Sequence, residues 1–133
     1  MKTGESMYSQ VNGMGLFGMN AFKVTAEIIS SRGQPSFDIV GLGDLAVQES
    51  KMRIKGALSG IGIAISGQKL TVNLAPADVR KCGSLYDFTI IAAILAVNNI
   101  ITDDLSDCAF IGEVSLGGSL VFTGGIISMA IEA

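Results

Sequence analysis

The sequence contains no histidine and no tryptophan, and it has only two cysteines and two prolines among its 133 residues. The absence of histidine removes the most common general base, the most common zinc ligand and every histidine-assisted nucleophile. The two cysteines, Cys82 and Cys108, lie far apart and form no CxxC motif. This spacing predicts neither a disulfide framework nor a thiolate metal site.

Basic residues are missing from the whole second part of the chain. All nine lysines and arginines lie in residues 1–81 together with six acids, whereas residues 82–133 hold six acids and no base. The net charge of −3 and the pI of about 4.7 argue against a dedicated nucleic-acid-binding domain. A local basic strip is still compatible with this balance, because the field at a surface depends on how charges cluster.

Long apolar runs are also missing, although 49% of the residues are hydrophobic and only 16% are charged. Every apolar run stops short of the about 18 residues that suggest a membrane-spanning helix, and no signal-peptide pattern opens the chain. We therefore expect a soluble, cytoplasmic protein that does not contact membranes. Residues 1–6 are interpreted as an expression leader, and residues 7–133 as a single domain truncated at its C-terminal end.

Alternating apolar residues predict five strands, at residues 20–28, 36–42, 69–74, 109–113 and 119–122. A first helix is predicted between the N-cap Asp44 and Gly60 or Gly62. Its apolar stripe consists of Val47, Ile54, Leu58 and Ile61.

A second predicted helix, Leu85–Val97, is apolar nearly all round. Such a helix must be covered on every side, either by the rest of the domain or in part by another subunit or domain. A third helix is predicted over Ile126–Ala133. The order of the elements predicts an α/β (α+β) sandwich, in which helices pack against a mixed sheet.

Three short motifs resemble cofactor or metal sites. The glycines of GxGxxG lead into a strand instead of a helix, so we interpret them as a flexible or bulged turn, with a small-molecule binding module as the alternative. The P-loop-like segment 62–69 has Gln68 where the lysine should stand, and the aspartates fit no EF-hand spacing. No nucleotide or metal ligand is assigned. The residues concerned are Gly13, Gly15 and Gly18, then Gly62, Gly67 and Lys69, and finally Asp103, Asp104 and Asp107.

Three segments together resemble one known family. They are residues 36–58 (SFDIVGLGDLAVQESKMRIKGAL), 70–78 (LTVNLAPAD) and 110–118 (FIGEVSLGG). The chain resembles, from about Met7 to Ala133, the N-terminal domain of the Mg-chelatase-like AAA+ ATPases of the ComM/YifB type. It departs from the family at Gly43, where proline is usual, and at residues 82–86, where the family usually reads acidic-Gly-Gly-Arg-Phe.

This resemblance implies a fold like the proteolytic domain of Lon proteases, placed ahead of an AAA+ module that forms hexamers. ATP and Mg are then expected only in that downstream module, and no cofactor in this part. The family is linked to DNA processing in natural transformation, as motors that drive branch migration. The implied partners are the protein's own AAA+ module, further copies of the chain, and DNA through the full-length protein.

The resemblance to Lon proteases raises the question of a Ser–Lys dyad, in which a near-neutral lysine takes the proton of a serine. Alignment places Leu85 at the nucleophile position and Ile127 at the position of the base, and no lysine follows Lys81. We therefore expect this part of the protein not to be an enzyme. The alternative is a residual hydrolase that uses Ser84 with Lys81 or Lys69.

Within this interpretation the domain serves assembly of the motor or engagement of its substrate. DNA contact is predicted through basic residues of the N-terminal part of the chain, since phosphates are bound by lysine and arginine. These residues are Lys51, Arg53, Lys55, Lys69, Arg80 and Lys81.

Overall fold

The computed structural model describes residues 6–17, 20–41, 43–65 and 67–121. The predicted third helix, Ile126–Ala133, and the predicted position of the base, Ile127, lie outside these ranges, as does Gly18. The remaining predicted elements fall within them, except for residue 42 at the end of the predicted strand 36–42 and residue 122 at the end of the predicted strand 119–122.

Four strands form a mixed sheet. They are β1 (Met7–Phe17), β2 (Asn20–Ser31), β3 (Ser36–Val40) and β4 (Lys69–Ala75), in the spatial order β1-β2-β4-β3. Strand β2 pairs antiparallel with β1 and β4, whereas β3 runs parallel to β4. A parallel pair needs a long crossover connection, and helix α1 (Leu45–Gly60) supplies it.

One face of this sheet is buried, as the alternating pattern predicts. Val24, Ala26 and Ile28 of β2 are buried, while the residues between them are more exposed. Ile28 lies opposite Val72 of β4, and Ala26 lies opposite Leu74. Because directly opposed residues share a face, this register places the apolar residues of both strands on the core side.

The sequence does not predict strand β1, because glycines occupy its core side. Gly13 and Gly15 are buried on the strand, where Val11 is also buried. Glycine carries no apolar side chain, so the period of two is hidden. The observed order of elements therefore has one more strand at its start than the predicted order.

Helix α1 is capped as predicted: the Asp44 carboxylate accepts a hydrogen bond from the backbone N–H of Val47 at 2.9 Å. The helix ends at Gly60, and Val47, Ile54 and Leu58 of the predicted stripe are buried. The prediction is wrong for Ile61, which is exposed because it follows the last helical residue.

Helix α2 (Asp87–Val97) begins two residues later than predicted and ends before Asn98. Ile90, Ala93 and Ile94 are fully buried within the chain itself, between the sheet, α1 and strand β5. The helix is thus central in the domain and does not need another subunit to cover it. No helix in the described ranges is long and apolar enough to cross a membrane.

A small hairpin, β5 (Glu113–Val114) and β6 (Leu120–Val121), closes the described chain. Both strands are shorter than predicted, although the turn at Gly117-Gly118 lies where it was expected. The two helices and the mixed sheet confirm the predicted α/β sandwich.

Candidate functional site

The segment that leads into α2 brings together most of the charged side chains that are not on the surface. We call this group the polar junction. It consists of Asp44, Arg53, Lys81, Ser84, Asp87 and Glu113. It includes Ser84 and Lys81, the serine and one of the lysines of the alternative hydrolase hypothesis, so its hydrogen bonds bear on that hypothesis.

An ion pair between the two helices is the centre of the polar junction. The Asp87 carboxylate accepts two hydrogen bonds from the Arg53 guanidinium, from Nε at 2.7 Å and from Nη2 at 3.1 Å. It accepts a third from the backbone N–H of Val114 at 3.2 Å. Asp87 is 0% exposed and the Arg53 side chain is 20% exposed. This fork-shaped pairing therefore joins α1, α2 and β5 where little water reaches.

The Nη2 atom of Arg53 has two further acceptors within the domain. Its Nη2 donates to the carbonyl of Ala46 at 3.2 Å and to the Ser50 hydroxyl at 3.0 Å. The hydrogen bonds to Asp87 raise the pKa of Arg53 further above its already high value. Arg53 is thus a permanently charged group that is used within the domain, and its predicted contact with DNA stays a prediction.

Lys81 is buried, which the sequence did not indicate. The side chain is 0% exposed, and its ammonium donates to the carbonyl of Gly41 at 2.8 Å and to the carbonyl of Pro76. Burial lowers the pKa of Lys81, and the Asp78 carboxylate partly offsets this shift. The ammonium of Lys81 is therefore buried and bonded within the domain, and its predicted contact with DNA stays a prediction.

Ser84 and Asp44 are occupied by other partners. The Ser84 hydroxyl donates to the Glu113 carboxylate. Asp44 accepts from the backbone N–H of Gly83 at 3.2 Å in addition to capping α1. A Ser–Lys dyad needs the serine hydroxyl and the lysine amine within hydrogen-bond reach of each other. Ser84 instead donates to a carboxylate, and Lys81 donates to two backbone carbonyls.

Three predicted DNA-binding residues remain exposed or half-exposed near one end of the sheet. Lys51 and Lys55 are one turn apart on α1. Lys69 begins β4 directly after Gln68, which lines the same cavity as Lys55. Within the described ranges none of the three forms an ion pair. Lys69 lies on the side of β4 opposite the buried Leu70, away from α1 and the core, so we call only Lys51 and Lys55 the basic face.

Arg80 does not belong to the basic face. It precedes Lys81, which forms a bridge with Gly43 beside the start of α1. Lys69 and Ala75 are the two ends of the seven-residue strand β4, a separation of about 20 Å at 3.3 Å per residue. The structure thus brings Lys51 and Lys55 together on α1 and buries or pairs Arg53 and Lys81. It places Lys69 on the other side of the sheet and Arg80 beyond the opposite end of β4.

The glycines that resemble a dinucleotide motif have a packing role. A Cβ atom on Gly13 would lie 2.5 Å from the Thr89 hydroxyl oxygen of α2, and one on Gly15 would lie 2.4 Å from the Tyr86 hydroxyl oxygen. Since real side chains never approach so closely, only glycine lets α2 cross β1 here. Our interpretation of Gly13 and Gly15 as a flexible or bulged turn is wrong, because both lie inside a strand.

The other motifs give no ligand site. Gly62 and Gly67 lie in the connection between α1 and β4, and Lys69 starts that strand. The three aspartates are exposed, and the backbone N–H of Ser106 lowers the pKa of Asp104 by donating to it. Among the residues described, no cluster of acids or cysteines has the geometry to hold a metal ion.

Comparison with known proteins gives a consistent family. The family described as subunit ChlI of Mg-chelatase matches residues 26–133. Over 117 residues the chain is 38% identical to the uncharacterized protein YifB of Escherichia coli strain K12 and to its namesake in Salmonella typhimurium. It is 35% identical over 117 residues to the competence protein ComM of Haemophilus influenzae. Each alignment covers 87% of this chain but only 23% of the relative.

Proposed function

The chain belongs to the family of subunit ChlI of Mg-chelatase, and on this premise we propose that it is the non-catalytic N-terminal domain of a ComM/YifB-type AAA+ ATPase. In this proposal the domain engages DNA, or helps subunits to assemble, for an ATP-driven motor in the rest of the protein. The observation that carries it is the family match combined with the unpaired cations of the basic face.

The length of the relatives supports a motor outside this chain. The chain spans about a quarter of their length, since each alignment covers 23% of the relative. ATP, Mg and the hexameric assembly are therefore assigned to the remainder of a cytoplasmic protein. The polar junction needs no cofactor in this proposal, because its side chains have hydrogen-bond partners within the domain.

The hydrogen bonds of the polar junction support a non-catalytic role. In a Ser–Lys dyad the amine removes the proton of the serine, whereas the Ser84 hydroxyl donates to the Glu113 carboxylate and not to a lysine. The ammonium of Lys81 is held by the carbonyls of Gly41 and Pro76. We propose that a Lon-like scaffold has here replaced protease chemistry with structural hydrogen bonds.

The basic face supports contact with DNA. Lys51 and Lys55 project from the same side of α1, because residues four apart on a helix are neighbours. Neither is used in an ion pair within the described ranges, in contrast to Arg53 two residues away. One relative is named a competence protein, and DNA is the polyanion that we propose for this surface.

Charge reversal of the basic face in the full-length protein tests the proposal. We expect Lys51→Glu combined with Lys55→Glu to weaken DNA binding, and to reduce the slope of log affinity against log salt by about 0.9 for each phosphate that the protein no longer neutralises. Binding is measured by fluorescence anisotropy at several salt concentrations. Sedimentation of the same variants reports separately on assembly.

The matched control is Lys23→Glu, because Lys23 is an exposed lysine on β2 near the end opposite Ser31. It changes the net charge in the same direction at a distant site. Equal losses in Lys23→Glu and in single Lys55→Glu would show a general charge effect and contradict the proposed face. An unchanged salt slope in the double variant would contradict DNA contact altogether.

A further inference from the structure

Strand β1 lies at one edge of the mixed sheet, whose order is β1-β2-β4-β3. On the side away from β2, the carbonyl of Asn12 accepts a hydrogen bond from the backbone N–H of Phe110 at 2.8 Å. This contact belongs to an isolated parallel bridge between Asn12 and Ala109. The backbone groups of Asn12 therefore point away from β2, toward the outer edge of the sheet.

The backbone groups of Tyr8 and Gln10 point to the same outer edge. In an antiparallel pair, alternate residues bond to the neighbouring strand and the residues between them face away from it. Among the described residues, neither Tyr8 nor Gln10 has a backbone hydrogen bond on this side, and both are exposed. We call the segment Met7–Val11 the free edge, because each of these two residues offers one N–H and one C=O group there.

The free edge lacks the features that usually protect an exposed strand. Edge strands typically carry charged side chains or a proline, or are very short, so that no further strand pairs with them. The 11 residues of β1 include neither a charged residue nor a proline. A strand of this composition is suited to accept an additional strand through main-chain hydrogen bonds.

A cavity of about 430 Å³ opens along the free edge, and we call it the β1 groove. Its lining includes Ser9, Gln10 and Asn12 of β1, and Asp103, Asp104 and Ser106 of the connection that follows α2. Ser9 and Gln10 point to opposite faces of the sheet, so a cavity that both of them line reaches the edge of the strand. The volume is within the range of ligand-binding clefts, about 300–1,000 Å³.

The charges of the β1 groove favour a basic partner. Asp103 and Asp104 are exposed, and neither forms an ion pair with another described residue. Of the described residues that line the groove, only Lys23 is a cation. It lies opposite Met14 in the register with β2, on the far side of Asn12 from the free edge. A partner with lysine or arginine side chains complements the two carboxylates.

We propose that the β1 groove binds an extended segment of basic polypeptide, which adds a strand to the free edge. The backbone of this segment bonds to the N–H and C=O groups of Tyr8 and Gln10, while its cationic side chains approach Asp103 and Asp104. The added strand ends at Asn12, because the outward carbonyl of that residue is already bonded to Phe110. The proposal does not depend on the basic face or on DNA.

Titration of the isotope-labelled chain with short synthetic peptides tests the proposal by NMR. The probe is a capped peptide of alternating valine and lysine, for which we expect saturable shifts of the amide signals of Tyr8, Gln10 and Asp103. The same peptide with every backbone amide N-methylated keeps its charge but donates no backbone hydrogen bond. It is expected to bind at least about tenfold more weakly. A peptide of alternating valine and glutamate is expected not to bind.

Gln10→Pro tests the free edge from the side of the chain. It removes an outward N–H and leaves the hydrogen bonds to β2 in place, since proline is tolerated where the N–H of an edge strand faces solvent. We expect it to weaken peptide binding about threefold to tenfold. The matched control is Gln10→Ala, which keeps the N–H and is expected to bind as the unchanged chain does. Thermal unfolding establishes that both variants fold.

Asp103→Asn combined with Asp104→Asn tests the charge separately. We expect this variant to bind the lysine peptide more weakly and with less dependence on salt, because two carboxylates of the groove are lost. The matched control is Asp38→Asn combined with Glu49→Gln, which removes two exposed acids outside the groove lining. It is expected to bind the peptide as the unchanged chain does.

Three results would overturn the proposal. The first is equal binding of the lysine peptide and its N-methylated form, or equal affinity in Gln10→Pro and Gln10→Ala, since the strand edge is then not used. The second is equal affinity for the glutamate peptide. The third is a dimer of the unchanged chain, seen by sedimentation and lost in Gln10→Pro, which would assign the free edge to a second copy. None of these results affects the test of DNA binding with Lys51→Glu and Lys55→Glu.

Discussion

Helices α1 and α2 use their polar residues in different ways. On α2 the polar residues are buried and bonded: Asp87 holds Arg53, and the Thr89 hydroxyl donates to the carbonyl of Phe110 at 2.5 Å. On α1 only the polar residues on the side that faces the core are buried and hydrogen-bonded. The opposite side exposes Met52 and Lys55 to solvent.

This difference indicates where structure and function are located in the domain. A polar group that is buried and fully bonded stabilises the fold, but it is not available to a partner. A cation with no partner in the domain contributes little to folding and remains available for a ligand. Arg53 and Lys55 show that two residues on the same helix turn can fall into opposite classes.

The largest expected effect comes from Asp87→Ala, which removes the ion pair on the α2 side. It leaves the mostly buried Arg53 guanidinium unpaired and the Val114 N–H without its acceptor. We expect a loss of about 3–5 kcal/mol in the free energy of unfolding, measured with urea. Glu49→Ala, an exposed acid on α1, is the control and is expected to change stability by no more than about 0.5 kcal/mol.

The double variant Asp87→Ala with Arg53→Met sharpens this test. Removing both charges eliminates the unpaired guanidinium, so part of the stability should return. If Asp87→Ala alone cost less than about 1 kcal/mol, an amount typical of exposed ion pairs, the contrast between the helices would not hold.

A smaller loss is expected when the space between β1 and α2 is filled. A Cβ atom at Gly15 would lie 2.4 Å from the Tyr86 oxygen and 2.6 Å from Phe22 Cζ. We expect Gly15→Ala to lower the free energy of unfolding by about 1–3 kcal/mol, as overpacking of a core usually does. Thermal and urea unfolding both measure it.

Gly117→Ala is the matched substitution at an open position, because the nearest atom to its Cβ would be 3.9 Å away. It is expected to keep or slightly raise the stability. Similar losses of stability in the two variants would mean that Gly15 is not required for the close approach of α2 to β1.

The smallest effect concerns Tyr86, whose buried hydroxyl has no partner in the described chain. Burial raises the pKa of Tyr86, and the nearby Cys82 and Asp44 add to the shift. In the unfolded chain a tyrosine loses its proton near pH 10. Above that pH the unfolded state binds fewer protons than the folded state, so the free energy of unfolding falls as the pH rises.

Tyr86→Phe should remove this alkaline loss and leave stability near pH 7 unchanged or higher by about 1 kcal/mol, since it deletes an unpaired buried hydroxyl. Urea unfolding at a series of pH values from 7 to above 10 measures both effects. Tyr8→Phe, at an exposed tyrosine, is the comparison and should keep most of the alkaline loss. An equal loss in Tyr86→Phe and the unchanged chain would contradict the assignment.

Local patterns were sufficient for much of the fold. The alternation in β2 and the Asp44 cap of α1 depend on residues close in sequence, and both predictions are confirmed. Strand β1 was missed because Gly13 and Gly15 take the places of apolar side chains on its core side. The reason for glycine at these two positions is the crossing of α2 over β1, which the sequence does not show.

The candidate site was less predictable. The presence of Asp87 at the start of an apolar helix was a usable signal, since a buried charge requires a partner. The sequence did not indicate which residue is that partner, because Arg53 lies 34 residues away from Asp87 in sequence.

The sequence alone determined the family, the sandwich class and the supply of basic residues in the first part of the chain, because motifs, periodicity and composition are local properties. Tertiary structure alone decided which of those basic residues are available. It buried Lys81, paired Arg53 and left Lys55 exposed, without an ion pair among the described residues. The physical reason is that the availability of a charge depends on its solvation and its partners, and both are set by residues distant in sequence.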